Sequence, residues 1–262
     1  MDTLTPTEFG LVSNMFSLAI AAMLASFIFF IVARGQVSEK YRPALVMSAL
    51  VVAIAGYHYF RIFESWGHAY QLTDGLYRPS GVPFNDAYRY VDWLLTVPLL
   101  VAELVAVLAL SKGVRGPLMT KLVIAAILMI GLGYPGEIAA TAASRTLWGL
   151  LSTVPFVYIV YILWTELLRA AENNTPHVRV LLRNTRLLLL GTWGFYPLAY
   201  LIPLIGISGA TAQVGVQFGY SIADIAAKCG YGLMIYHIAK AKMEAEGVVY
   251  GESAPLRGVV VS

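Results

Sequence analysis

Two ionisable residues lie four positions apart inside an apolar run near the C-terminal end of the chain. In the stretch ADIAAKCGYG, Asp224 is followed by Lys228, and the run extends from about residue 214 to residue 239. Residues four apart on an α-helix share one face, so the two groups can interact. A buried neutral lysine amine is a nucleophile that can form a Schiff base with a carbonyl compound. Folding does not require buried ionisable groups, so the pair predicts a functional site.

A second apolar stretch carries further ionisable residues at helical spacing. Arg89 and Asp92 are three positions apart, and Glu103 lies eleven positions beyond Asp92. Eleven residues make almost three helical turns, so Asp92 and Glu103 face the same way, ~16 Å apart along the axis. His58, in another apolar stretch, is a further candidate. Each charge at membrane depth costs at least ~2.5–3.5 kcal/mol, so such charges indicate a function. A series of groups along one helix that can exchange protons predicts a path for protons. The alternative is that such residues pair only as structural contacts.

The apolar stretches that position these residues recur along the whole chain. Of its 262 residues, 58% are hydrophobic and 13% charged, whereas globular domains carry roughly a quarter charged residues. Seven stretches are each near the ~20 residues that a membrane-spanning helix needs. They cover about residues 9–33, 43–64, 87–110, 117–140, 145–168, 179–203 and 214–240. The sequence therefore predicts an all-α integral membrane protein, a seven-transmembrane-helix bundle that forms a single domain over residues 1–262.

Basic residues between the stretches predict the orientation in the membrane. If the N-terminus is outside, the outer segments carry only Arg61, Arg78 and Arg145. The inner segments then carry Arg34, Lys40, Arg42, Lys112, Arg115, Lys121, Arg169, Arg179, Arg183, Arg186, Lys240, Lys242 and Arg257. Cytoplasmic loops are enriched in lysine and arginine. We therefore expect a multi-pass protein of the cell (inner) membrane with its N-terminus outside and its C-terminus in the cytoplasm.

The longest loop, about residues 65–86, lies on the expected extracellular side. It has turn signals at Asp74-Gly75 and Ser80-Gly81 between short segments rich in Tyr and Leu. Such a pattern predicts an extracellular β-hairpin between the second and third helices. Its simplest role is to cover the outer end of the bundle.

Composition and spacing argue against several other classes of site. The single cysteine, Cys229, excludes an internal disulfide, and the histidines show no metal-ligand spacing, so no metal site is predicted. We interpret His177 and His237 as solvated because both lie away from the apolar centres. Basic residues are dispersed between helices, so nucleic acid is not an expected partner. No nucleophile with a neighbouring base lies outside the apolar stretches, so we do not expect an enzyme.

Three motifs resemble those of microbial rhodopsins. They are RYVDWLLTVPLL (Arg89–Leu100), WGFYPLAY (Trp193–Tyr200) and DIAAKCGYG (Asp224–Gly232). The similarity covers all seven predicted helices and is greatest to the xanthorhodopsin and proteorhodopsin group of bacterial light-driven proton pumps. The resemblance implies a transporter that moves protons outward within a lipid bilayer, and a homo-oligomer.

The resemblance also implies roles for the ionisable residues. Lys228 corresponds to the lysine that holds all-trans retinal as a Schiff base. Asp92 corresponds to the counterion and primary proton acceptor, and Asp224 to the second counterion. Thr96 and Glu103 complete an Asp-Thr-Glu triplet in which the glutamate is the cytoplasmic proton donor.

Two further positions carry an implied role in proton transfer. Arg89 resembles the arginine beneath the counterions that gates proton release. His58 matches a histidine that hydrogen-bonds the acceptor carboxylate, and the alternative is a histidine packed between helices with its ring nitrogens satisfied. The loop PLIGISGATAQVG between helices six and seven lacks the acids that form a release cluster in archaeal pumps, so the release route stays open.

Residues of several helices correspond to the retinal pocket. They are Trp93, Met129, Gly133, Ser152, Thr153, Trp193, Tyr196, Pro197 and Ala227. Trp148 is a further aromatic candidate for the pocket wall, and Leu100 occupies a position where leucine accompanies green absorption. Gly149 stands where many pumps carry a bulky aromatic beside the retinal ring. It predicts either close helix packing or a window through which a carotenoid antenna touches the retinal.

Three other functions compete with a proton pump. A photosensory rhodopsin that signals to a partner protein commonly lacks a carboxylic donor, so Glu103 argues against it. A chloride or sodium pump would replace Asp92 or alter the triplet. A seven-helix ligand receptor or lipid-binding protein without photochemistry would not need Lys228 with two counterions.

Overall fold

Seven helical segments form the architecture of the described chain. The computed structural model describes residues 1–248, so Arg257 lies outside them. The segments are α1 (Pro6–Ala33), α2 (Arg42–Ala69), α3 (Tyr88–Leu108), α4 (Lys112–Glu137), α5 (Ala142–Glu172), α6 (Pro176–Trp193 and Phe195–Leu201) and α7 (Ala210–Asp224, Ile225–Gly230 and Tyr231–Ala245). Short 3₁₀ turns follow α1 and α6, at Arg34–Gln36 and Ile202–Ile205. Each predicted apolar stretch overlaps one of these segments, and the seven-helix prediction is confirmed.

The segments pack in chain order around a closed ring. Each contacts the next, and α7 returns to α1. Large apolar side chains such as Leu24, Val154 and Leu198 are exposed on the outside. In the described part of the chain, α1 to α5 are uninterrupted helices long and apolar enough to cross a membrane. The inner face of α3 is buried along its whole length, which places its ionisable residues on the bundle axis.

Both of the last two segments are interrupted near the middle of the bundle. The two parts of α6 meet at Gly194, three residues before Pro197. A proline has no N–H to donate to the preceding turn, and its ring crowds the carbonyl of that turn. In α7, residues Ile225–Gly230 form a wide π-helical turn, a feature often found at functional sites. Lys228 lies within this turn.

The predicted hairpin is confirmed, and it lies at one end of the bundle between α2 and α3. Strand β1 (Tyr70–Thr73) pairs antiparallel with β2 (Leu76–Pro79). The two turn residues, Asp74 and Gly75, have φ angles of 52° and 76°, as a type I′ turn requires. Leu4 adds a bridge to Tyr77 through two backbone hydrogen bonds of 2.8 and 2.9 Å, so the N-terminal segment holds the hairpin against α1.

We expect Gly75→Val to lower the free energy of unfolding by about 1–3 kcal/mol, because a β-branched residue is strained at this positive φ. The matched control is Gly67→Ala, near the end of α2 that leads into the hairpin. An added Cβ meets open space there, and alanine favours the helix. Thermal denaturation followed by circular dichroism measures both. Equal stability of the two variants would contradict the I′ assignment.

Candidate functional site

Lys228 lies at the centre of the bundle between two carboxylates. Its side chain is 2% exposed, and its Nζ lies 2.5 Å from Oδ1 of Asp224 and 3.1 Å from Oδ2 of Asp92. The π-helical turn of α7 positions the lysine, and α3 supplies Asp92. All three groups are removed from solvent, so the ionised lysine is stabilised by its partners rather than by water. The sequence-predicted juxtaposition of Lys228 with both acids is therefore present in the structure.

Two tyrosine hydroxyls distinguish Asp224 from Asp92. Tyr59 of α2 donates to Oδ2 of Asp224 and Tyr196 of α6 donates to Oδ1, each at 2.7 Å. Hydrogen bonds to a carboxylate favour its ionised form. The sequence indicated Tyr196 only as a pocket residue, and it gave no signal for Tyr59. Tyr59 and Asp224 are far apart along the chain, so only tertiary packing brings them into contact.

Asp92 has a different environment. Within residues 1–248 its Oδ1 has no hydrogen-bond partner, and Thr96 donates to the Asp92 main-chain carbonyl at 2.9 Å rather than to the carboxylate. His58 is buried, and its Nδ1 donates to the carbonyl of Ile54 at 2.9 Å. In the neutral ring the other nitrogen is then an acceptor, so a bond from His58 to ionised Asp92 requires a charged ring. The predicted partnership of His58 with Asp92 stays a prediction.

Arg89 lies on the hairpin side of this centre. Its side chain is buried, and its guanidinium carbon sits 4.9 Å from the centroid of the Tyr220 ring. All three guanidinium nitrogens lack a hydrogen-bond partner among the described residues. Together with Lys228, Arg89 balances the two negative charges of Asp92 and Asp224. The aromatic ring contributes a cation–π contact to a cation that water does not reach.

Glu103 lies on the other side of the centre, near the last turn of α3. It is fully buried, and Ser48 of α2 donates a 2.5 Å hydrogen bond to its Oε2. Its Oε1 has no partner in the described part of the chain. Ser48 carries no signal in the sequence, because an isolated serine in a transmembrane helix serves equally well to pack helices.

A cavity of about 400 Å³ lies beside Lys228 and is lined by residues of α3, α4, α5, α6 and α7. Every residue that the sequence analysis assigned to the cofactor lines it: Trp93, Leu100, Met129, Gly133, Gly149, Ser152, Thr153, Trp193, Tyr196, Pro197, Ala227 and Lys228. Trp148 is not among the lining residues of this cavity. Its walls are predominantly apolar, as in sites for small organic ligands. The amine at one end and the apolar walls fit a long apolar molecule with a terminal carbonyl.

Away from Lys228, the cavity reaches the lateral surface of the bundle between α5 and α6. The lining residues there include Leu150 and Thr153, which are exposed, and Gly149. A Cβ added to Gly149 would lie 2.7 Å from the Tyr200 ring. The glycine therefore allows Tyr200 to pack against α5, and a larger side chain would displace this ring.

An ion pair at the hairpin end of the bundle was absent from the sequence analysis. Arg145 Nη2 lies 3.0 Å from Oε2 of Glu137, and the Tyr200 hydroxyl donates to the Arg145 carbonyl at 2.7 Å. An acid from α4 thus occupies the end of the bundle where the loop between α6 and α7 has none. His177 and His237 are exposed, and residues 1–248 contain no cluster suited to a metal ion.

Comparisons with known proteins agree with this geometry. Residues 10–242 match the family model described as bacteriorhodopsin-like protein. The chain is 32% identical over 225 residues to a green-light absorbing proteorhodopsin of Gamma-proteobacterium EBAC31A08, covering 86% of this chain and 84% of the relative.

Two solved structures are more similar in sequence. Xanthorhodopsin, described as a light-driven ion pump with dual chromophore, shares 57% identity at a TM-score of 0.90, covering 94% of this chain and 99% of that chain. A thermophilic rhodopsin shares 53% identity at a TM-score of 0.91 with the same coverage. With its buried lysine between two carboxylates and its match across all seven helices, the chain belongs to the bacteriorhodopsin-like family, in the xanthorhodopsin and proteorhodopsin group of microbial rhodopsins.

Proposed function

We propose that this protein is a light-driven pump that moves protons out of the cell, with retinal bound covalently to Lys228. The observation that carries the proposal is the order of buried groups along α3. Asp92 lies 3.1 Å from the Lys228 nitrogen, and Glu103 lies buried on the opposite side of that nitrogen. The relatives support it, since they include a proteorhodopsin and a structure described as a light-driven ion pump.

The cavity fits retinal by shape and chemistry. A polyene aldehyde matches its apolar length, and Lys228 is the buried amine at its end. When bound, retinal supplies light absorption and an isomerisation that moves the Lys228 nitrogen relative to its partners. Trp93 and Trp193 line the cavity and would hold the flat chain from both sides.

The environments of the two acids support different roles. Asp224 accepts two tyrosine hydrogen bonds, which favour a carboxylate that stays ionised beside Lys228. Asp92 has an oxygen without a partner among the described residues, so it has room to bind a proton. The proton on Lys228 Nζ therefore moves to Asp92, and Asp224 remains as the standing counterion.

The return proton comes from the opposite direction. Glu103 is held by Ser48 in a fully buried site, where a neutral carboxylic acid is favoured over an isolated charge. It donates to the Lys228 nitrogen and is then reprotonated from the nearer surface. With the N-terminus outside, as the basic residues indicate, that surface is cytoplasmic and transport is outward. The break of α6 beside Pro197 supplies a place where access to the nitrogen can change sides.

We expect Lys228→Ala to abolish visible absorbance after incubation with all-trans retinal, because no other amine lines the cavity in the described chain. The control is Lys240→Ala, which removes a lysine of the same helix and retains the pigment. Absorption spectra of the purified proteins measure both. A covalent pigment in Lys228→Ala would contradict the assignment.

The test of the pump is light-induced acidification by cells that make the protein with retinal. We expect the acidification to disappear with a protonophore. Glu103→Gln should keep the colour but slow reprotonation of the Lys228 nitrogen at least about tenfold, because general acid catalysis contributes about 10²–10⁴ in rate, and azide should partly restore it. The control is Glu172→Gln, an exposed acid expected at the same membrane side.

Flash photolysis measures this step. An unchanged late photocycle in Glu103→Gln would remove the donor assignment, and illumination without a protonophore-sensitive pH change would overturn the pump.

We also propose that the opening beside Gly149 accepts a carotenoid that passes excitation to the retinal. The cavity reaches the bundle surface there, and the relative with 57% identity is described as having a dual chromophore. Tyr200 packs over the glycine and lines the cavity beside this opening. Excitation transfer would then occur over contact distance.

A carotenoid antenna predicts a structured blue band in the action spectrum of proton transport after mixing with hydroxylated or ketolated carotenoids. Gly149→Trp should remove this band and keep the retinal band, because its side chain would fill the opening and displace Tyr200. Gly131→Trp is the control, since Gly131 is exposed on α4 and an added Cβ there meets open space. Failure to bind carotenoid, or a band that survives in Gly149→Trp, would refute the antenna and leave the pump intact.

A further inference from the structure

Lys242 is a buried lysine with no part in the proton path described above. It lies near the C-terminal end of α7, and its residue is 8% exposed. Its Nζ donates to the carbonyl oxygens of Val107 at 3.2 Å and Leu108 at 2.7 Å. Both carbonyls belong to the last turn of α3. A side chain of α7 thus supplies hydrogen bonds to the end of another helix.

The last carbonyls of an α-helix have no N–H partner within the helix. Here α3 ends at Leu108, and the next residue, Ala109, takes a left-handed conformation with φ of 52°. Val107 and Leu108 are themselves buried, so unpaired carbonyls would carry a desolvation penalty. The Lys242 ammonium satisfies both and also complements the negative end of the helix dipole.

The turn that Lys242 holds is the one directly after Glu103. Val107 is four residues beyond Glu103, so in a regular helix its N–H donates to the Glu103 carbonyl. The side chains of Leu104, Val107 and Leu108 are buried around this turn. We expect them to separate the Glu103 carboxyl from the nearer end of the bundle for as long as the turn remains closed.

Lys242 lies beside an aromatic ring that belongs to a neighbouring polar cluster. Its Nζ lies 5.7 Å from the ring centroid of Tyr41, whose hydroxyl donates to Glu246 at 2.6 Å. Glu246 also pairs with Lys40 at 2.8 Å. Partial burial opposes ionisation of Glu246, but the hydrogen bonds from Lys40 and Tyr41 outweigh it and lower its pKa. Among the described ionisable residues of α3, Glu103 is the nearest in sequence to the capped turn.

We propose that Lys242 is a positioning residue for proton uptake: it caps the last turn of α3 and so limits access of water and protons to Glu103. This inference rests on the proposed role of Glu103 as donor. Closing that turn keeps the Glu103 proton available to the Lys228 nitrogen. Opening it lets the carboxylate recover a proton from the adjacent aqueous side.

The first test is amide hydrogen exchange of purified protein in the dark. In Lys242→Met we expect amides of residues 104–110 to exchange about tenfold faster or more, because hydrogen bonds from a charged donor are lost. Lys240→Met is the matched control, since it removes a lysine two residues away whose Nζ lies over the Tyr236 ring instead. Lys242→Arg should restore most of the protection. Should Lys242→Met not fold, Lys242→Gln replaces it with the same expected sign.

The second test is flash photolysis with a pH indicator. Proton uptake by Glu103 should be several-fold faster in Lys242→Met than in the parent and in Lys240→Met, with unchanged transfer from Lys228 to Asp92. Equal exchange in Lys242→Met and Lys240→Met would overturn the capping role, and unchanged or slower uptake would overturn its effect on access. A normal photocycle in Glu103→Gln would instead defeat the donor assignment, whatever the dark exchange shows.

Discussion

The structure depends on neutralising ionisable groups in a place removed from bulk solvent. Lys228 needs a negative partner at close range, and two carboxylates give the centre an excess of negative charge. Arg89 restores the balance from the hairpin side. Buried ion pairs compensate their desolvation only when geometry and hydrogen bonding are good. The tyrosines of α2 and α6, the wide turn of α7 and the closed ring of helices all serve that geometry.

The same constraint gives the three buried acids different surroundings although all of them are carboxylic acids. Asp224 is surrounded by donors, whereas Asp92 has a free oxygen in the described chain. Among residues 1–248, Glu103 has a single hydroxyl partner and no cation in contact. The proposed roles of standing counterion, acceptor and donor rest on these three environments, and the proposed direction of transfer rests on the order of the carboxyl groups along the bundle axis.

The ionisable residues could be found from sequence because each is an exception within an apolar stretch, and their helical spacing placed Lys228 with Asp224. The hairpin was equally accessible, since Asp74-Gly75 is a two-residue turn signal. Ser48 and Tyr59 could not be found in this way, because their importance comes from which helix faces meet across the bundle. For the same reason the sequence did not indicate the Glu137–Arg145 pair or the contact of Lys242 with α3. The packing of Tyr200 on Gly149 likewise depends on how α5 and α6 approach each other.

The wide turn in α7 also shifts the sequence register of the half-helix after it relative to that of the half before it. A π-helical turn accommodates one residue more than an α-helical turn, so the face presented before Ile225 does not determine the face presented after Gly230. The first half is oriented by Asp224 toward the tyrosines, and the second by Lys242 toward the end of α3. Loss of one residue within the turn would restore a continuous α-helix while the two halves keep their relative orientation. A change of one residue in length at this point in evolution would therefore leave both contacts in place.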